Sequence, residues 1–129
     1  MNGRFLLDTN IIIALFAKDP VIHEHVLNAE EIFVPCIAIG ELYFGANKSL
    51  RVKNNHARID EFVLKNTVLP CTTDTAKRYG KIKNHLKEKG QPVPENDIWI
   101  AAIAQQFGLT LASRDSHFNA VESLKVEVW

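Results

Sequence analysis

The sequence predicts an α/β fold in three layers, with a central and mostly parallel sheet of four to five short strands flanked by helices. Three observations predict it. Short apolar runs alternate with longer, largely polar or amphipathic stretches along the whole chain. Those runs are apolar at nearly every position, as in strands covered on both faces. Helix start and stop signals bracket the stretches between them.

Phe5-Leu6-Leu7 reads as the first buried strand. It stops at Asp8-Thr9-Asn10, any of which caps a helix, and Ile11 to Ala17 follows as that helix. Pro20 suits the first turn of a second helix reaching about Ala29. Ile32-Phe33-Val34, closed by Pro35, is the second strand. Ile37 to Ala46 is apolar apart from Glu41 and the Tyr43 hydroxyl, and reads as a helix buried on most sides. Leu50 to Asn66 is charged, with Val52, Ile59, Phe62 and Val63 on a helical stripe. Thr67-Val68-Leu69 is the third strand. Thr73 to Lys89 is a polar helix ended by Gly90, and Pro92 and Pro94 mark a loop. Ile98 to Phe107 is an Ala-rich helix ended by Gly108. Thr110-Leu111-Ala112 is the fourth strand and Val126 to Val128 the fifth. Alternation of strand and helix implies parallel pairing.

The 129 residues suit one domain over 1–129, since no linker or internal repeat divides them. A hydrophobic share of 47% and a charged share of 23% exclude a disordered chain. No apolar run approaches the roughly 18 residues of a membrane span, and the opening run is too short for a secretory signal. Lys plus Arg and Asp plus Glu each number 15, so bulk charge gives no attraction to polyanions. Cys36 and Cys71 match no closely spaced metal or redox motif and read as small buried apolar residues in a reducing, cytoplasmic compartment.

Four acids stand in apolar company. Asp8 and Asp115 follow the first and fourth strands directly, where open α/β sheets bind ligands. Glu41 has Ile37, Ala38, Phe44 and Gly45 as helical neighbours, and Asp97 has Val93, Pro94, Ile100 and Ala101. Neither set offers a cation, and a buried carboxylate without a partner is costly. Singly, each acid has a plain account as a helix cap, a first-turn acid or an ion-pair partner. Together, their places converge on one edge of a doubly wound sheet. Carboxylates gathered there repel unless hard divalent cations bridge them. An oxygen-only ligand set favours Mg²⁺ or Mn²⁺ over zinc and suits phosphodiester hydrolysis.

The constellation resembles the PIN-domain ribonucleases, and within them the VapC-type toxins of toxin–antitoxin pairs. The matching segments are Leu6-Leu7-Asp8-Thr9-Asn10, Ile39-Gly40-Glu41-Leu42, Asn96-Asp97-Ile98-Trp99-Ile100-Ala101-Ala102, Ser113-Arg114-Asp115-Ser116-His117-Phe118 and the closing Leu124 to Trp129. The resemblance implies that Asp8, Glu41, Asp97 and Asp115 are the acidic metal-binding and catalytic quartet. It places Thr9, Asn10 and Ser113 as small polar groups beside them, Ser113 keeping the hydroxyl of the family's commoner Thr. It further implies a PIN-like fold, an RNA substrate cut with Mg²⁺ or Mn²⁺, a homodimer and a cognate antitoxin protein.

Other features are less informative. His23, His25, His56, His85 and His117 form no zinc pattern, and only His117 is near a proposed site residue. Lys77, Arg78, Lys81, Lys83, Lys87 and Lys89 make a helix that reads equally as an RNA backbone track or a solvated face. Tyr43 and Phe44 are candidates for a partner surface or for core packing. Two other functions remain in view. A haloacid-dehalogenase-type phosphatase needs a second Asp two residues after Asp8, where this chain has Asn10. A non-catalytic PIN-like interaction module would be expected to lack one of the four acids.

Overall fold

The computed structural model describes residues 3–129. Five strands, β1 (Arg4–Leu7), β2 (Glu31–Pro35), β3 (Thr67–Leu69), β4 (Thr110–Ser113) and β5 (Val126–Val128), form one sheet in the order β3-β2-β1-β4-β5. Every pairing is parallel, with Leu6 opposite both Phe33 and Leu111. The helices are α1 (Thr9–Phe16), α2 (Pro20–Asn28), α3 (Cys36–Asn47), α4 (Val52–Lys65), α5 (Thr73–Lys89) and α6 (Glu95–Gln106), with a 3-10 turn at Ser116–Ala120.

Side-chain alternation along β1 separates two cores. Phe5 and Leu7 join Val34, Ala112 and the buried residues of α1 to α4 on one face. Leu6 joins Leu111, Ile82, Leu86 and the apolar residues of α6 on the other. A strand buried on both faces cannot be amphipathic, which is why Leu6 and Leu7 are both fully buried. Each such side chain contributes about 1.5–3 kcal/mol of burial. The chain winds outward from β1 to β2 and β3, then returns to β4 on the other side of β1. The order therefore reverses at β1, and a crevice opens at the carboxyl ends of β1 and β4.

All five expected strands and six helices form, and the differences lie at ends and faces. Helix α1 begins at Thr9 because Asp8 takes the cap, its carboxylate accepting from the Thr9 N–H at 2.8 Å. Helix α6 begins at Glu95, a turn earlier than its apolar pattern, because Pro94 precedes the first turn and needs no N–H partner. Helix α3 is buried on one face only, through Ala38, Ile39, Leu42 and Ala46. Phe44 lies on the other face, 63% exposed beneath the Lys48 ammonium. Val52 is also exposed, so the α4 stripe narrows to Ile59, Phe62 and Val63. The cysteines depart from expectation as well: Cys36 is half-buried and Cys71 exposed.

Candidate active site

Each acid reaches the crevice by a different element. Asp8 directly follows β1 and is buried, with both oxygens engaged: one accepts from the Thr9 N–H, the other from the Ser113 hydroxyl at 2.7 Å. Ser113 is the last residue of β4 and fully buried. Its oxygen also accepts from the Asp115 N–H at 2.9 Å. One hydroxyl thus joins the end of β1 to the turn that carries Asp115. Glu41, in the second turn of α3, accepts from the Thr9 hydroxyl at 2.7 Å. The partner missing from its own helix is therefore a neutral donor on α1. Asn10 accepts from the Arg114 N–H at 3.4 Å, which ties the same turn to α1. Arg114 itself pairs with Asp19 and donates to the Trp129 carbonyl, leaving Asp115 without that cation.

Asp97 stands in the first turn of α6, with its side chain 15% exposed. Burial, and then the charges of Asp8, Asp115 and Glu41, push its carboxyl up to about 6. Asp8 moves the same way, chiefly through burial, although hydrogen bonds from Ser113 and Thr9 oppose the rise. The charges of Asp8, Glu41 and Asp115 thus all act on Asp97.

His117 was not anticipated as a site residue. Its Nδ1 lies 2.9 Å from an Asp115 oxygen and 3.7 Å from Asp97 Oδ2. Ligand atoms of Asp97, Asp115 and His117 all fall within 4.8 Å of one another. The signal available in the sequence was the two-residue step from Asp115, which the 3-10 turn folds back on itself: Asp115 caps that turn by accepting from the His117 N–H. The other histidines lie elsewhere; His25, for example, stacks on Trp129.

The donor set fits a divalent cation. It offers several carboxylates, one imidazole and no opposing Lys or Arg within ion-pair distance of the four acids among the described residues. Asp8 keeps free lone pairs beside its two accepted hydrogen bonds, since a carboxylate has about four acceptor positions. The basic helix α5 is partly committed elsewhere, Lys83 pairing with Glu95 and Lys89 with Glu122. Lys77, Arg78 and Lys81 line a separate cleft of about 1060 Å³ beside the carboxyl end of α6, away from Asp97 at its start.

Comparison with known proteins gives a consistent result. The PIN domain family model matches residues 5–124. Ribonuclease VapC2 of Haemophilus influenzae is 36% identical over 129 residues, covering 98% of each chain. The tRNA(fMet)-specific endonuclease VapC of Salmonella typhimurium is 32% identical over 132 residues, again covering 98% of both. Among solved structures, DNA-bound VapBC from Salmonella typhimurium superposes with a TM-score of 0.88 at 31% identity over 98% of each chain.

Proposed function

The chain belongs to the PIN-domain family, and from that premise we propose that it is a Mg²⁺- or Mn²⁺-dependent endoribonuclease, the toxin of a toxin–antitoxin pair acting in the cytoplasm. The observation that carries the reading is the approach of Asp97, Asp115 and His117 ligand atoms to within 4.8 Å of one another, with Asp8 joined to the Asp115 turn through Ser113 and to Glu41 through Thr9. End-to-end similarity to named ribonucleases supports RNA as substrate. VapBC complexes among the structural relatives support an antitoxin partner. The phosphatase alternative loses ground because Asn10 accepts the Arg114 backbone N–H and carries no acid.

Asp8, Glu41, Asp97 and Asp115 are the residues we assign to hold the cation. A cation held there would supply the means to activate water and to balance charge developing on the scissile phosphate. Ser113 and Thr9 fix the orientation of Asp8 and Glu41 by donating to them. Asn10 holds the turn that carries Asp115. His117 contacts Asp115 and sets the direction of its carboxylate. Asp97, its carboxyl pushed up to about 6 by burial and by neighbouring charges, would be relieved by a bound cation.

The test is cleavage of a panel of RNAs that includes initiator tRNA, with Mg²⁺, Mn²⁺ or excess EDTA. Wild type should cut only with metal. Asp8→Asn and Asp97→Asn should cut slower by orders of magnitude while remaining folded. Full activity of folded Asp97→Asn, or in EDTA, would overturn the assignment. Hydrolysis of a generic phosphate ester but not RNA would return the phosphatase reading.

A further inference from the structure

The sequence reads the two cysteines as small buried residues outside any closely spaced motif. They instead meet at the surface, 35 residues apart in sequence, with sulfurs 3.9 Å from each other. Cys36 opens α3 directly after β2, and Cys71 lies just past the end of β3. Because Pro35 pairs with Leu69, the two chains leave adjacent parallel strands side by side. Backbones about 4.8 Å apart in the sheet hold the sulfurs in reach of one another. Rotation about the side-chain bonds then has to close less than 2 Å to reach the roughly 2.05 Å of a disulfide.

We propose that Cys36 and Cys71 form a reversible dithiol–disulfide site on the surface, with a hydroperoxide as its oxidant. Partial burial and the neighbouring Cys36 push the Cys71 thiol up to about 11. The two sulfurs face each other, so attack can begin at either one, here Cys36. Its thiolate displaces hydroxide from hydrogen peroxide, the O–O bond breaks, and Cys36 becomes a sulfenic acid. The Cys71 sulfur then attacks Cys36, the S–OH bond breaks, and water leaves with the Cys71 proton. Two thiols and one peroxide give one disulfide and two waters, with both electrons supplied by sulfur. A dithiol reductant reverses the reaction by thiol–disulfide exchange.

The bond would act on the sheet edge. Strand β3 has three residues and, among the described residues, pairs only with β2. Short edge pairings are the places where native structure opens at low cost. A link from the start of α3 to the chain leaving β3 closes that edge covalently.

The experiment treats the intact chain with a small excess of hydrogen peroxide and follows free thiols, intact mass and non-reducing electrophoresis. Wild type should lose both thiols, fall in mass by two hydrogens, stay a single-chain species and recover fully with dithiothreitol. The oxidised form should melt at higher temperature and show slower amide exchange at Thr67–Leu69. Cys36→Ser and Cys71→Ser, close in size to the native residues, should instead add oxygen or cross-link between chains. The proposal is overturned if wild type keeps both thiols, adds oxygen to either sulfur without forming the internal bond, or yields mainly intermolecular disulfide.

Discussion

Asp97 is a charged group placed where charge is unwelcome, and its titration gives a signed prediction. Its carboxyl sits at about 6 in the folded chain against an ordinary 3.8. The folded state therefore holds the proton more tightly than the unfolded chain. The stabilisation this brings is complete below about pH 4 and is lost as pH rises through about 6. Metal-free protein should accordingly lose thermal stability between those values, and Asp97→Asn should flatten that part of the profile. Two effects oppose each other in the variant at pH 7. Loss of the first-turn acid forfeits about 0.3–1 kcal/mol of helix-dipole energy. Relief of the buried charge, and then of repulsion from Asp8, Asp115 and Glu41, is larger even after screening by solvent. A net gain of about 1 kcal/mol should raise the melting temperature by a few degrees. Mn²⁺ should stabilise wild type and shift the variant much less. A lower melting temperature in EDTA with an undiminished Mn²⁺ shift would make Asp97 a helix-start residue only. Ser113 offers a second test. Ser113→Ala strands an Asp8 oxygen and the Asp115 N–H in a buried place, a loss of about 1–3 kcal/mol. Cleavage should slow with it, and Ser113→Thr should restore both melting temperature and rate.

Elements carry the acids to the crevice, and their termini set where the acids stand. Helix α5 ends at Gly90, with φ of 65°. A Cβ placed there would meet nothing within 4 Å, so only backbone conformation opposes a side chain. Gly90→Ala should therefore lower stability by about 1–2 kcal/mol, the left-handed penalty for an L-residue. Cleavage per folded molecule should stay unchanged, because Gly90 lies at the far end of the loop that leads to α6 and a Cβ there faces open space. A large loss of rate without loss of stability would show that this loop sets the position of Asp97. Helix α3 illustrates the opposite case. Its exposed Phe44 and its buried Leu42 are two residues apart, so one short helix serves the core and presents an apolar ring to solvent.

For the molecule as a whole, activity and toxicity should be inseparable. Expression of wild type should arrest growth, and co-expression of the cognate antitoxin should relieve it. Asp8→Asn keeps the shape of the buried side chain while removing its charge. It should leave growth unaffected at equal soluble protein. Equal arrest by the variant would assign toxicity to binding rather than to cleavage. RNA-end sequencing after brief induction, with Asp8→Asn as control, would identify the cut sites.

The order of elements was legible in the sequence by itself, and so were four acids standing in apolar company. Apolar runs such as Phe5-Leu6-Leu7 mark strands because a strand buried on both faces has no polar side to offer. Glu41 and Asp97 were conspicuous because helical spacing shows the neighbours on their own helices, and those lacked any cation. Contacts between elements were not legible in this way. The Thr9 donor to Glu41, the Ser113 bridge between β1 and β4, and the Cys36–Cys71 approach join residues 32, 105 and 35 positions apart. His117 enters the acidic cluster only because a 3-10 turn folds it back toward Asp115 and Asp97. Periodicity specifies which face of an element is buried. Which element it is buried against, and so which polar groups meet there, is decided only when the sheet order is set by tertiary packing.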